Sequence, residues 1–236
     1  MKGIFMTREI IMDAVLLGAC NVTFAEENIL VMLGDSTTLC SRNKPGAKLT
    51  ELVKKKLVEE NKLEVKVINS GVGGNTAKQG YARLRQDVIA HNPDFVTISF
   101  GLNDVGNSTP DEYQEYMEKI IKEIQQNTKS KIMLITSTPF NNERHTWGAK
   151  YASKGGLDKY LNSKICDATR ELAQKYNLPL CDLHDYFLKK FNEKKGLIDT
   201  LILPDGVHLT DEGNRVTADF ISPAIAEMMK SIRKKE

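Results

Sequence analysis

The chain alternates between short, mostly apolar runs and longer segments in which apolar residues recur every three or four positions, and this alternation constrains the fold more than any other feature. Short apolar runs bounded by glycine, proline or asparagine predict buried strands, and the wider spacing predicts amphipathic helices. The predicted strands are Ile29–Leu33, Val65–Ile68, Phe95–Phe100, Ile132–Ile135 and Leu178–Cys181. The predicted helices are Lys48–Glu60, Ala77–Val88, Tyr113–Ile124, Leu157–Leu172 and Val216–Met229, the last interrupted or kinked at Pro223.

A strand followed by a helix repeats along the chain, which predicts a parallel sheet covered by helices on both faces. No linker, low-complexity tract or internal repeat divides the sequence, so residues 26–236 are expected to form a single domain. In sheets of this kind, ligands bind beyond the carboxyl ends of the strands. The segments that follow the strands are therefore where chemistry is expected.

Composition excludes several classes of protein. With 41% hydrophobic residues and a net charge of +2 over 236 residues, the chain is too apolar and too weakly charged to be disordered. Its charge gives no electrostatic reason to expect a nucleic-acid partner. No apolar stretch is long enough for an integral membrane span. The four cysteines, Cys20, Cys40, Cys166 and Cys181, form no CxxC pair and are expected to be small buried hydrophobes.

Residues 1–25 differ from the rest of the chain. Lys2 and Arg8 precede an apolar run that ends at Cys20, and small residues follow at Thr23 and Ala25. This layout predicts a secretory signal peptide, and the Leu-Gly-Ala-Cys sequence that ends at Cys20 resembles a lipoprotein box whose cysteine would carry lipid. An extracytoplasmic protein is therefore expected. Acidic residues within the segment leave open an N-terminal extension on a cytoplasmic protein.

Polar, glycine-containing segments stand at four strand ends or helix starts. They are Gly34-Asp35-Ser36-Thr37-Thr38, Asn69–Thr76, Gly101-Leu102-Asn103-Asp104 and Asp205-Gly206-Val207-His208. Each by itself could be a turn or a helix cap. A phosphate-binding loop is disfavoured, because Thr76 occupies the third glycine position of a dinucleotide fingerprint and no Gly-Lys-Ser/Thr sequence exists.

In this order, the four segments resemble the four sequence blocks of the SGNH hydrolases, the superfamily of the GDSL esterases and lipases. The resemblance extends over nearly all of the sequence from Ile29 to Phe220. It implies a three-layer α/β/α sandwich with a five-stranded, mainly parallel, flavodoxin-like sheet. It also implies a catalytic triad and an oxyanion hole. The residues at the matching positions are Ser36, Asp205 and His208 for the triad and Ser36, Gly74 and Asn103 for the oxyanion hole.

These residue types suit acyl transfer. A serine hydroxyl is a poor nucleophile until an oriented base takes its proton. His208 is the matching base, because Asp205 lies three residues earlier, within reach of the second imidazole nitrogen. Attack on an ester develops negative charge on the carbonyl oxygen, which backbone N–H groups and the neutral amide of Asn103 can stabilise. This chemistry needs no metal ion and no cofactor.

Several other residues stand near the predicted site. The carboxylate of Asp35 is expected to hold the loop around Ser36. His184 follows the fifth predicted strand near the catalytic edge, where any contact with the site would be a supporting one and no chemical step is assigned to it. The segment Ser137–Gly156 is long for a connection and carries the only tryptophan, Trp147. Such segments often form lids or substrate walls, so Trp147 is a candidate substrate-binding residue, with packing on the adjacent helix as the alternative.

The resemblance is strongest to the carbohydrate acetyl esterases of the superfamily, on Gly-x-Gly-Gly-Asn-Thr ending at Thr76 and Gly-Leu-Asn-Asp-Val ending at Val105. The predicted substrate is therefore a short acyl ester, chiefly acetyl, of a small molecule or a polysaccharide. A lysophospholipase or arylesterase, an acyltransferase, and a non-catalytic carbohydrate-binding relative are the alternatives. The oligomeric state is not predicted.

Overall fold

The computed structural model describes residues 27–233, and the predicted signal segment with Cys20 lies outside them. Five strands of the described part form one sheet, with the bounds β1 Asn28–Gly34, β2 Val65–Gly71, β3 Phe95–Ser99, β4 Lys131–Ile135 and β5 Leu180–Cys181. The strand order is β2-β1-β3-β4-β5, and each neighbouring pair is parallel. This is the flavodoxin-like order, which confirms the predicted parallel sheet.

Helices occupy the connections between the strands. Within residues 27–233 they are α1 Ser36–Leu39, α2 Leu49–Lys55, α3 Ala77–Ala82, α4 Leu84–Asp87, α5 Asp104–Asn107, α6 Pro110–Asn127, α7 Leu157–Tyr160, α8 Asp167–Lys175, α9 Leu183–Glu193, α10 Leu197–Leu201 and α11 Asp211–Arg233. Two π-helical segments, Lys56–Glu60 and Leu161–Cys166, extend α2 and join α7 to α8. None of the helices in this part of the chain is long and apolar enough to cross a membrane.

The sheet separates two hydrophobic cores, because alternate residues of a strand point to opposite faces. On one face Val31, Val96 and Leu134 pack against α3, α4, α6 and α8. On the other face Met32 and Met133 pack against α2, α9 and α11. Helices therefore cover both faces, and the predicted three-layer α/β/α architecture is confirmed.

The structure departs from the sequence prediction at the helix Ala77–Val88, which is two short helices that meet at Arg83, at the fifth strand and at the last helix. Strand β5 contains two residues instead of the predicted four. Helix α9, which the periodicity did not predict, starts at Leu183, directly after its N-cap residue Asp182. Helix α11 starts at Asp211 and continues through Pro223. Proline removes one helical hydrogen bond. Burial of Ile221 and Ile225 on either side of it holds the helix on the core.

The three cysteines of the described part, Cys40, Cys166 and Cys181, are buried and unpaired, as expected for small apolar side chains. Burial raises the pKa of the Cys181 thiol to about 11.

Candidate active site

Ser36 is the first residue of α1, directly after the tight turn at Asp35 that follows β1. Asp35 caps this helix: its Oδ1 accepts hydrogen bonds from the backbone N–H of Thr37 at 2.9 Å and from the Thr37 hydroxyl at 2.8 Å. These are the contacts expected of a carboxylate that holds the turn. A Cβ atom on Gly34 would lie 2.2 Å from the Thr38 hydroxyl, so only glycine fits at the end of the strand. The turn therefore presents Ser36 at the carboxyl edge of the sheet.

His208 and Asp205 form a hydrogen-bonded chain with Ser36. His208 Nε2 lies 2.9 Å from Ser36 Oγ, and His208 Nδ1 lies 2.8 Å from Asp205 Oδ2. A carboxylate only accepts, so the Nδ1 nitrogen carries the proton and Nε2 offers its lone pair to the serine hydroxyl. The structure thus brings the three predicted triad residues together in the arrangement that activates a serine.

Both oxygens of the Asp205 carboxylate have polar partners. Oδ1 accepts the backbone N–H groups of Val207 and His208, each at 3.0 Å. Partial burial opposes ionisation, but these two hydrogen bonds and the His208 imidazole together hold the pKa of Asp205 below its usual value. The half-exposed guanidinium of Arg42, a residue outside the four predicted motifs, also pairs with Oδ2. Asp205 is therefore ionised and fixed in place at neutral pH.

The segment after β4 supports the loop that carries His208. The backbone N–H of Asn141 donates to the carbonyl of Gly206 at 2.8 Å. Gly206 has a φ of +77°, and a Cβ atom there would lie 2.6 Å from the backbone nitrogen of His145. Glycine is required at this position for both reasons. The approach of the two loops fixes the orientation of the Asp205–His208 turn.

The two other predicted oxyanion-hole residues follow β2 and β3. Gly74 is exposed and has a φ of +78°, with open space where a Cβ atom would stand. The Asn103 amide donates to the carbonyl of Asn75 at 3.1 Å, which joins the two strand ends. The N–H of Val72 donates to the carbonyl of Gly34 at 3.1 Å, which joins the Gly74 loop to the end of β1.

The aromatic side chains near the site form a row. Trp147 lies over α5, where a Cβ atom on Gly106 would come within 2.5 Å of its ring. The His145 ring meets Trp147 edge-on at 5.1 Å and Phe140 at 4.8 Å. His145 Nδ1 accepts the backbone N–H of Trp147, and burial lowers the pKa of this imidazole. Trp147 thus packs on the short helix that follows Asn103, and its contact with substrate stays a prediction.

His184 lies in the core and not among the triad residues. Its side chain is fully buried, with Nδ1 3.2 Å from the carbonyl of Ser137 and Nε2 3.6 Å from Asp158. Burial opposes protonation, but the Asp158 carboxylate and the Cys166 sulfur outweigh it and raise the pKa of His184 to about 10. Asp158 Oδ1 also accepts the N–H of Phe140 at 2.8 Å. His184 therefore stabilises the segment after β4, from Ser137 to Phe140, which leads to the residues that support the His208 loop.

Asp104, next to Asn103, is a second buried group with an unusual titration. Oδ1 accepts the backbone N–H of Ala77 at the start of α3, at 3.0 Å, while Oδ2 has no partner among the described residues. Burial, with a smaller contribution from the nearby Asp35 carboxylate, raises the pKa of Asp104 to about 7. The folded protein therefore favours the neutral carboxyl, and ionisation of Asp104 costs stability.

We expect Asp104→Asn to become more stable than the wild type as pH rises. The unfolded carboxyl ionises near pH 3.8 and the folded one near 7. The folded wild type therefore loses stability across this interval, by up to about 4 kcal/mol, whereas an amide does not titrate. Urea unfolding at acidic and at alkaline pH measures the difference, and Asp111→Asn corrects for the loss of one negative charge. A difference that stays constant with pH would contradict the assignment.

Within residues 27–233, no group of three or more His, Cys, Asp and Glu side chains is arranged to hold a metal ion.

Comparison with known proteins places this site in a family. A sequence profile of the GDSL-like lipase/acylhydrolase family matches residues 32–216. An uncharacterised lipoprotein of Bacillus subtilis is 29% identical over 215 residues, which cover 81% of this chain and 87% of that protein. The acetylxylan esterase of Geobacillus stearothermophilus is 32% identical over 132 residues, which cover 47% of this chain and 59% of that enzyme.

The fold agrees with this assignment. The crystal structure of a lipase/acylhydrolase from Enterococcus faecalis matches with a TM-score of 0.67 at 26% identity, over 85% of this chain and 96% of that one. The chain therefore belongs to the GDSL-like lipase/acylhydrolase family of the SGNH superfamily and is a carboxylic ester hydrolase.

Proposed function

We propose that this hydrolase is a serine esterase that removes short acyl groups, chiefly acetyl, from a carbohydrate through an acyl-Ser36 intermediate. The observation that carries the proposal is the hydrogen-bonded chain from Asp205 through His208 to Ser36 at the carboxyl edge of the sheet. An oriented base in contact with the serine, here His208 held by Asp205, is sufficient to make the Ser36 hydroxyl nucleophilic.

In the first half of the reaction, Ser36 Oγ attacks the ester carbonyl carbon while His208 Nε2 takes the hydroxyl proton. The oxygen of the tetrahedral intermediate accepts hydrogen bonds from the backbone N–H groups of Ser36 and Gly74 and from the amide of Asn103. Such donors act at full strength because they are already oriented. Collapse of the intermediate breaks the bond to the alcohol, which receives the proton from His208.

In the second half, a water molecule attacks the acyl-Ser36 carbonyl while His208 takes one of its protons. The same donors hold the negative oxygen, and the carboxylic acid leaves as Ser36 regains its proton. The imidazole is positively charged in both intermediates, and the ionised Asp205 stabilises that charge. Each step uses only side chains, backbone groups and water, so the proposed cycle contains no cofactor.

Two features support a short acyl group on a polar alcohol. Val72 is the one large hydrophobic side chain that is exposed within the described residues, so apolar surface for a long chain is confined to clefts such as the one beside Phe140, Leu188 and Phe191. A cleft of about 460 Å³, which Arg42 borders and which Ser36 and His208 do not line, contains the polar ends of Asn43, Lys44 and Thr210. Polar lining suits the hydroxyl groups of a sugar. The acetylxylan esterase relative supports the same substrate class.

A series of aryl esters tests the acyl preference. We expect kcat/KM to be highest for the acetate and to fall from butyrate to octanoate and decanoate, because the side chains that line the cleft beside Arg42 are mostly polar or charged and added methylene groups would gain little from burial there. An acetylated xylo-oligosaccharide should be deacetylated, with the unacetylated oligosaccharide as the control for binding without reaction. A maximum at octanoate or beyond would instead favour a lysophospholipase or arylesterase.

Covalent labelling of Ser36 distinguishes the proposed enzyme from a non-catalytic carbohydrate-binding protein. An alkyl fluorophosphonate reacts only with an activated serine, so its covalent attachment to Ser36 is expected for the enzyme. A folded protein that binds the oligosaccharide but remains unlabelled would support the binding protein.

We further propose that the protein is exported and that Cys20 carries lipid. The support is the Leu-Gly-Ala-Cys sequence at Cys20 and the Bacillus subtilis lipoprotein that resembles this chain. Metabolic labelling of cells with palmitate should mark the wild type but not Cys20→Ala, and the wild type should partition with membranes. Equal labelling of both proteins, or of neither, would contradict the lipid anchor.

A further inference from the structure

Arg83 joins the turn that carries Ser36 to the loop that carries Gly74. It stands at the end of α3, and only 16% of its side chain is exposed. Each nitrogen of its guanidinium donates to a different acceptor. These are Asn75 Oδ1 from Nε at 2.8 Å, Gly34 O from Nη2 at 2.9 Å and Asp87 Oδ2 from Nη1 at 2.8 Å. The planar guanidinium therefore fixes the positions of three chain segments relative to one another.

One of these bonds acts on the serine turn. Gly34 is the last residue of β1 and lies two residues before Ser36. Its carbonyl accepts from both Arg83 and the backbone N–H of Val72. The turn is also close-packed on the neighbouring strand, since a Cβ atom on Gly71 would lie 2.9 Å from the carbonyl oxygen of Asp35. Arg83 thus holds the base of the serine turn against the loop that follows β2.

The second bond acts on Asn103 through Asn75. The Asn75 side chain accepts from Arg83, while its backbone carbonyl accepts one N–H of the Asn103 amide at 3.1 Å. An amide group has two N–H donors. With one donor bound to Asn75, the second has no acceptor among residues 27–233 and has a defined direction. The chain of contacts from Gly34 through Arg83 and Asn75 therefore ends on the side-chain donor of the proposed oxyanion hole.

We infer that Arg83 is a positioning residue that keeps the three oxyanion donors, at Ser36, Gly74 and Asn103, in one arrangement. This inference rests on the proposed serine esterase function. Arg83 touches the segments that bear the donors and acts on the reaction only through them. Oxyanion stabilisation depends on donors that do not have to reorient when charge develops, and a displacement of about 1 Å can cost about a hundredfold in rate.

The test compares Arg83→Ala with a matched control on the neighbouring helix. Arg85, two residues later, has 75% of its side chain exposed and pairs with Glu123 at the surface. We expect Arg83→Ala to lower kcat for an aryl acetate about 10- to 100-fold with little change in KM. The Arg85→Ala variant should retain wild-type kcat. Circular dichroism and thermal unfolding establish the temperature at which all variants are folded.

Chemical rescue separates positioning from a general loss of structure. Guanidinium chloride at millimolar concentration should restore part of the kcat of Arg83→Ala, because the ion can occupy the vacated site and donate to the same acceptors. It should not raise the activity of Arg85→Ala or of Ser36→Ala. Millimolar guanidinium is too dilute to unfold the protein, so a variant that is inactive through general loss of structure would show no rescue.

Two further variants cover the case in which Arg83→Ala does not fold. Arg83→Lys keeps the charge but not the fork of donors, and Asn75→Ala removes the side-chain acceptor while its carbonyl remains. Both should lower kcat. The effects of Arg83→Lys and Asn75→Ala should not add when combined, because Arg83 acts on Asn103 through its hydrogen bond to Asn75. If Arg83→Ala or Arg83→Lys has the same kcat as Arg85→Ala, the inference is wrong while the esterase stands. If the wild type hydrolyses no ester, the proposed function fails, and the inference fails with it.

Discussion

Ser36→Ala is expected to abolish ester hydrolysis while the protein stays folded. The substitution removes the oxygen that His208 Nε2 contacts at 2.9 Å, so no acyl-enzyme can form. Loss of a serine nucleophile in such a triad lowers kcat by about a millionfold, and the remaining rate reflects oxyanion binding alone. The turn is held without the Ser36 hydroxyl, since the Asp35 carboxylate caps α1 by accepting hydrogen bonds from the backbone N–H and the hydroxyl of Thr37.

The measurement is kcat for an aryl acetate together with fluorophosphonate labelling and circular dichroism. Ser231→Ala is the matched control, because this serine is exposed near the end of α11, and its hydroxyl donates only to the carbonyl of Met228. The control should retain wild-type activity and labelling. Hydrolysis by folded Ser36→Ala at more than a trace of the wild-type rate would refute Ser36 as the nucleophile.

Asp205→Asn is expected to lower kcat by about ten-thousandfold, the cost of placing the imidazole proton on the wrong nitrogen. Asp205 Oδ1 accepts the backbone N–H groups of Val207 and His208. The oxygen of an amide must therefore stay on that side, and its NH₂ group must face His208 Nδ1. That group donates, so Nδ1 becomes the acceptor and the imidazole proton moves to Nε2. His208 can then no longer take the proton of Ser36.

The variant Arg42→Ala distinguishes the contributions of Arg42 and His208, the two partners of Asp205 Oδ2, to catalysis. It removes the ion pair at the rim of the site but leaves the hydrogen bond to His208. Ion pairs with an exposed member contribute little, so kcat for an aryl acetate should change by a few-fold at most. If Arg42→Ala and Asp205→Asn lowered kcat equally, Asp205 would act through Arg42 instead of by orienting His208.

The periodicity of apolar residues predicted the layered fold because strand and helix preferences are largely local. The fourth predicted strand, Ile132–Ile135, differs from the observed Lys131–Ile135 by one residue. The prediction failed where two elements adjoin without a turn: only Asp182 separates β5 from α9, so Leu183 and Phe187 were not recognised as the start of a helix. An Asp N-cap followed by apolar residues four apart was the available signal.

For the site, the sequence by itself determined which residues could carry the chemistry, because each candidate lies in a short polar segment at a strand end or helix start. It could not determine their contacts. Ser36 and His208 are separated by 172 positions, and they meet only because the order of the strands brings their loops to one edge. Arg42 on Asp205 and Arg83 on Gly34 were not predicted either. A long cationic side chain on a helix or loop has no sequence spacing that reveals its acceptor, so only the tertiary structure decides its partner.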